Sequence, residues 1–156
     1  MKIIDYLDKK AVSADLKSTD KEGVIRELVD LLVSAGDIKK EDKEKLMEIL
    51  LNREALGSTG IGQGVGIPHG KSNMVKNLSL AFGLSQKGVA FDSLDGEPVH
   101  IFFLLVAPED SAGPHLKALA RISRLLKDKY FRDNLKQARD EKTLLKIISQ
   151  EDEKRA

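Results

Sequence analysis

The run Val99-His100-Ile101-Phe102-Phe103-Leu104-Leu105-Val106-Ala107 is apolar at every position but one. Nine residues fall far short of the ~20 a membrane helix needs, and a short unbroken apolar run of this kind reads as a strand covered on both faces. It is the expected central strand. Both of its faces need helices, so the class is α/β, with a mixed sheet and helices packed on both sides. Working upstream, Asp95-Gly96 is a turn signal, and Val89 and Phe91 predict a short edge strand. Leu78, Leu80, Phe82 and Leu84 alternate with Ser79, Ala81, Gly83 and Ser85, the period of a strand with one buried face. Downstream, Pro108 ends the central strand and Pro114 sits where a first helical residue belongs, with Leu116, Leu119, Ile122 and Leu126 on one face. His115 therefore falls in the first turn of a helix. Two more short helices are expected around Tyr130, Phe131 and Leu135 and around Leu144–Ile148. At the other end, Val12, Ala14 and Leu16 predict a strand near 11–16. Thr19-x-x-Glu22 has the form of a capping box for a helix carrying Val24, Ile25, Leu28, Leu31, Leu32 and Ala35 and stopped by Gly36. A further helix is expected near 40–55, with Arg53 in its last turn. The expectation is one domain over residues 1–150, followed by a charged tail, 151–156, that frays.

Composition removes whole classes of function. The chain has 156 residues, and 26 Lys and Arg against 25 Asp and Glu leave a net charge of +1, so no global field draws in nucleic acid or anionic lipid. With no cysteine, disulfides, thiolate zinc sites, iron–sulfur clusters and a cysteine nucleophile are all excluded. The start MKIIDYLDKK lacks the sustained apolar stretch of a signal peptide. The expected location is the cytoplasm.

The segment Gly57–Gly70 reads GSTGIGQGVGIPHG, with glycine at 60, 62, 64 and 66. Glycine at this density costs backbone entropy, and it suits an extended segment whose bare edge lies close to another group, with a tight turn around Gly62–Gly64. Nucleotide motifs fail here on spacing. Gly70-Lys71-Ser72 has the ending of a P-loop, but the glycine required at position 65 is Val65, and the alternating glycines never form G-x-G-x-x-G. No G-x-S-x-G elbow supports a serine hydrolase, and no H-x-x-x-H or H-E-x-x-H spacing supports a metal site. No cofactor is expected.

Three histidines remain. His69, between Pro68 and Gly70, is expected near a loop surface. His115, at a helix N-terminus, is favoured as a neutral ring that can donate an N–H to an anion. His100, opening the central strand, is expected to be a partly exposed strand residue without chemistry. An accessible imidazole near a helix N-terminus and an arginine, with no carboxylate cluster, suits a transiently phosphorylated histidine, because phosphoryl transfer demands mainly positioning and charge stabilisation.

At these residues the sequence resembles enzyme IIA of the bacterial phosphoenolpyruvate-dependent sugar phosphotransferase system, fructose and mannitol type, including its nitrogen-related regulatory branch. The motifs are Asn52-Arg53-Glu54-Ala55-Leu56-Gly57-Ser58-Thr59-Gly60-Ile61-Gly62, Ile67-Pro68-His69-Gly70, and Ala107-Pro108 followed by His115-Leu116-x-x-Leu119. The resemblance extends over about residues 1–150. It implies that His69 is the phosphorylated nucleophile, His115 a second imidazole that stabilises the phosphoryl group, and Arg53 the cation that balances its charge. The implied partners are the phosphocarrier protein HPr as donor and a cysteine of an enzyme IIB protein or domain as acceptor, with no nucleic acid and with the membrane involved only through the IIB/IIC permease. No IIB or IIC segment accompanies the chain, so a free-standing IIA is expected, acting in carbohydrate uptake or as a regulator whose phosphorylation state controls partners. Gly66 departs from the pattern, where alanine is usual.

Overall fold

The computed structural model describes residues 1–155. Its elements run β1 (Leu7–Ser13), α1 (Lys21–Ser34), α2 (Lys43–Ala55), β2 (Gly60–Gly62), β3 (Val65–Gly66), β4 (His69–Lys71), β5 (Ser79–Val89), β6 (Val99–Ala107), α3 (Ala112–Leu125), α4 (Lys129–Gln137) and α5 (Glu141–Lys154). One six-stranded sheet has the order β1-β5-β6-β3-β2, and β4 also pairs with β6. The β1–β5, β3–β6 and β4–β6 pairs are parallel, and β5–β6 and β2–β3 antiparallel. The mixed α/β sheet expected from the sequence is the one observed.

β6 is the centre of the sheet and is buried on both faces. Ile101, Phe103, Leu105 and Ala107 join Leu80, Phe82 and Leu84 of β5 under α3, α4 and α5. Phe102, Leu104 and Val106 face the other way, toward Val24, Ile25, Leu28 and Leu32 of α1 and Leu46, Met47 and Leu50 of α2. Each such side chain, fully withdrawn from water, contributes ~1.5–3 kcal/mol. Both layers of helix pack on this strand together with its neighbours, α1 on β5 and β1, α2 on β4 and α5 on β1.

Several local readings shift by a few residues. β1 begins at Leu7, earlier than its alternation indicates, because the charged stretch Asp8–Lys10 lies in a register irregularity on the sheet's edge. The cap of α1 is Asp20, whose carboxylate accepts the N–H of Gly23 at 2.8 Å, and not Thr19. Thr19 is occupied elsewhere: its carbonyl accepts the N–H of Ala90. The edge strand expected at Val89 and Phe91 does not form. Val89 is the last residue of β5, paired with Val99, and the Phe91 ring packs edge-on against Phe102 with centroids 5.2 Å apart. Pro114 is the third helical residue of α3, not the first, a position that still needs no intrahelical N–H. Leu116 does not join the buried face of that helix; it is 67% exposed.

The expectation of a frayed tail is wrong for residues 151–155. α5 continues to Lys154, and Asp152 is completely buried, accepting Arg121 Nε at 2.8 Å and the N–H of Ile4 at 3.0 Å. A hydrogen-bonded partner two helices away anchors charges that composition alone marks as solvated. Ala156 lies outside the described residues.

Candidate functional site

The glycine-rich segment folds as two hydrogen-bonded pieces. β2 and β3 form a hairpin around Gly62, Gln63 and Gly64, all with positive φ (99°, 57° and 77°), and Asp95 Oδ2 accepts the Gln63 N–H at 2.9 Å. The bare glycine edges face the protein's own neighbours: a Cβ on Gly60 would lie 2.9 Å from Ser93 Cα, and one on Gly66 would lie 3.2 Å from the Phe102 ring. Gly66 therefore matches a close aromatic neighbour. Beyond the hairpin, Ile67 and Pro68 step the chain along β6, with the Ile67 N–H bonded to the Thr59 carbonyl and the Leu105 N–H to the Pro68 carbonyl, both at 3.0 Å.

This path delivers His69 as the first residue of β4, opposite Leu105. The ring belongs to a strand and not to a loop, which limits its movement. His69 Nδ1 lies 2.8 Å from the carbonyl oxygen of Ile67. A carbonyl can only accept, so Nδ1 carries the proton and donates it, and the neutral ring keeps an unshared pair on Nε2. Burial pushes the His69 pKa below its usual value, with the positive charge of Arg53 acting in the same direction; the Ile67 bond and the charge of Glu54 oppose this. The ring is therefore neutral at pH 7.

β6 ends at Ala107, and after the turn at Pro108 helix α3 begins, which sets its first turn at the carboxyl end of the parallel β4–β6 pair. Crevices at such strand ends are favoured ligand positions in α/β folds. His115 sits there, 7% exposed, with its ring edge-on to His69 at a centroid distance of 5.5 Å and an interplanar angle of 79°. Its Nε2 is buried without a hydrogen-bond partner, an arrangement that carries a desolvation cost unless something polar joins it. Burial, then the neighbouring His69 and Lys71 charges, push the His115 pKa down. Ser111 makes no side-chain cap, so the amides of Ala112 and Gly113 are also free of intrahelical partners.

Arg53 occupies the last turn of α2 and donates from Nη1 to the Gly57 carbonyl at 2.7 Å. It thus ties the helix end to the glycine segment while its charge reaches His69. Sequence reasoning assigned nothing to Glu54, Thr59 or Lys71. Glu54 and Thr59 are buried and bonded to each other, and Lys71 shares the His69 face of β4 by the two-residue period of a strand. His100 lies outside this cluster, five residues up β6 from Leu105, with Nδ1 bonded to the Ser85 carbonyl at 2.9 Å. Among the described residues no group of three or more His, Asp or Glu side chains is placed to hold a metal ion. None of the helices is long and apolar enough to cross a membrane.

The model of the family described as "Phosphoenolpyruvate-dependent sugar phosphotransferase system, EIIA 2" matches residues 5–151. The chain is 43% identical over 152 residues to the PTS system fructose-specific EIIABC component of Bacillus subtilis, an alignment covering 97% of this chain but 24% of that protein. It is 36% identical to the nitrogen regulatory protein of Bradyrhizobium diazoefficiens, covering 96% of this chain and 95% of the relative. The crystal structure of nitrogen regulatory protein IIA-Ntr from Neisseria meningitidis superposes with a TM-score of 0.84 at 32% identity, over 94% of this chain and 98% of that one. The chain thus spans about a quarter of the Bacillus subtilis protein and nearly the whole of the Bradyrhizobium diazoefficiens and Neisseria meningitidis ones.

Proposed function

This chain belongs to the EIIA 2 family of the phosphoenolpyruvate-dependent sugar phosphotransferase system, and from that premise we propose that it is a phosphocarrier whose acceptor atom is His69 Nε2. The observation that carries this reading is the His69 Nδ1–Ile67 carbonyl bond, which holds the proton on one nitrogen and leaves the other as the nucleophile beside His115.

The step is a transfer between nitrogens. The Nε2 lone pair attacks the phosphorus carried by the phosphohistidine of HPr; a new P–N bond forms at His69 as the donor's P–N bond breaks, and the donor imidazole leaves with that electron pair. In the second step a thiolate of an enzyme IIB partner attacks the same phosphorus, and His69 leaves as the neutral ring it was. Ile67 stabilises the positive charge that the ring acquires while it carries the phosphoryl group, because its carbonyl accepts the Nδ1 proton throughout. His115, as a neutral donor, the amides of Ala112 and Gly113, and the Arg53 guanidinium balance the phosphoryl oxygens.

Incubation with phosphoenolpyruvate, enzyme I and HPr, followed by intact mass and peptide mapping, tests this directly. One phosphate on His69, acid-labile and alkali-stable as a phosphoramidate, is expected; phosphate on Ser58, Ser72 or His115 in the unaltered protein would sink the assignment. A second reading is a regulator whose phosphorylation state is sensed by partners that take no phosphate; the nitrogen regulatory proteins among the relatives, at 36% and 32% identity, support it. Both readings use the same residues. Onward transfer to IIB encoded by neighbouring genes favours uptake, and a phosphorylated form that no such IIB discharges favours regulation.

A further inference from the structure

Glu54 is buried beside His69 without touching it. It follows Arg53 on α2 and is 6% exposed. Its Oε1 accepts the Thr59 N–H at 3.1 Å and lies 3.1 Å from Lys21 Nζ, and its Oε2 accepts the Thr59 hydroxyl. Thr59 is held by both its amide and its hydroxyl, and its carbonyl in turn accepts the N–H of Ile67 at 3.0 Å. The next bond in the series is the one from His69 Nδ1 to the Ile67 carbonyl. Four groups in sequence, Lys21, Glu54, Thr59 and Ile67, therefore connect the first turn of α1 to one nitrogen of the candidate nucleophile.

We propose that Glu54 is a positioning residue for His69: by fixing Thr59, it sets the Ile67 peptide where its carbonyl can hold the proton on Nδ1 and keep Nε2 free. This rests on the reading of His69 as the phosphoryl acceptor. A free histidine side chain prefers its proton on Nε2, so the productive tautomer depends on the carbonyl being in place. The Ile67 side chain is packed in the core, 3% exposed, so the setting of its peptide plane falls to the hydrogen bonds on either side of it. The residue lies between β3 and β4, outside both, and Pro68, which follows it, has no N–H to contribute; Ile67 is anchored through its own amide to Thr59 and through the Pro68 carbonyl to Leu105. Releasing Thr59 removes the first of these two anchors. The Lys21 ammonium, stacked 4.8 Å from the centroid of Phe91, supplies the opposite charge that a buried carboxylate requires.

The experiment is ¹⁵N NMR of the ring nitrogens in the unphosphorylated protein, beside phosphoryl transfer from HPr, in Glu54→Ala, Glu54→Gln and Thr59→Val. In the unaltered protein His69 Nδ1 should give the shift of a protonated nitrogen and Nε2 that of an unprotonated one. Glu54→Ala and Thr59→Val should move population toward the Nε2–H form and slow transfer about ten- to a hundredfold, the scale of a modest misplacement of a reacting group. Glu54→Gln keeps an oxygen for the Thr59 N–H and should stay near the unaltered protein in tautomer and rate. Unchanged ring shifts in both Glu54→Ala and Thr59→Val would overturn the proposal, and so would a Glu54→Gln variant as impaired as Glu54→Ala. Thr59→Val, close in shape, carries the test if Glu54→Ala does not fold. The tautomer measurement uses no phosphoryl donor, so a protein that shows the expected shifts yet takes no phosphate overturns the acceptor reading and leaves this one standing.

Discussion

The imidazoles of His69 and His115 meet edge to face, and their surroundings divide the work between them. His69 has its proton committed to Ile67 and is the more accessible ring; His115 is almost fully enclosed and has a nitrogen without a partner. His69→Ala should therefore abolish phosphorylation. His115→Ala should still be phosphorylated at His69, with transfer slowed about a hundred- to a thousandfold, the usual cost of one preorganised donor. Rapid-quench transfer from HPr and onward to IIB in both variants checks this, and a reversed pattern would exchange the roles. Because both ring pKa values are depressed below 6.5, chiefly by burial, His69 stays neutral to a lower pH than a free imidazole does. The rate of acceptance should be flat above pH 6.5 and fall only below it. Stability follows the same sign: below pH 6.5 the unfolded chain binds protons that the folded rings refuse, so the folded state loses stability as pH falls from 6.5 toward the depressed values, and gains nothing further above 6.5. Arg53→Gln should slow transfer far more than it lowers the melting temperature, since its bond to Gly57 contributes only ~1 kcal/mol. Transfer at the unaltered rate with a small loss of melting temperature would reduce Arg53 to a helix-end tie.

At the scale of elements, the last turn of α5 illustrates how a charged segment becomes structure. Glu151 and Glu153 look solvated, yet Asp152 between them lies on the inward stripe of the helix and meets Arg121 of α3, Nη2 at 2.7 Å. The same carboxylate accepts from Ile4, so one side chain joins the amino-terminal turn, α3 and α5. Asp152→Ala leaves the Arg121 guanidinium, only 11% exposed, with a carbonyl acceptor but without its countercharge; a loss of about 3–5 kcal/mol is expected. A urea midpoint unchanged from that of the unaltered protein would refute it. The periodicity of α1, α2 and α3 was readable because each carries a continuous apolar stripe over several turns. The Asp152 contact was not, because no local pattern distinguishes an inward aspartate from an outward one.

For the whole molecule, the site lies on one surface to which α2, the glycine segment, β4 and α3 all contribute. Leu56, 85% exposed, follows Arg53 at the end of α2, and exposed Leu116 follows His115. Exposed apolar side chains close in sequence to Arg53 and His115, with Lys71 of β4 also exposed, fit a docking face that a donor and an acceptor would use in turn under the proposed role of His69. HPr and IIB should compete for it, and Leu56→Asp or Leu116→Asp should weaken both associations by at least about tenfold, as loss of a central apolar anchor does. NMR titration with both partners present is the check; a stable ternary complex would contradict a shared face.

Periodicity, turn chemistry and the apolar run at Val99–Ala107 are short-range properties, and from them the sequence alone determined the α/β class, the order of most elements and the dense glycine segment ahead of Pro68-His69. Side-chain spacing along β6 even implied that both of its faces are covered. What it could not determine is which distant groups meet. The edge-to-face contact of two histidines 46 positions apart, the proton held on Nδ1 by a carbonyl two residues back, and the burial of Glu54 and Asp152 among their cationic partners exist only once the sheet has closed. Those contacts are set by the register of β3 and β4 on β6 and by the packing of α2, α3 and α5 around the sheet. Register and packing are properties of the whole chain, decided by the apolar surface that every element buries together.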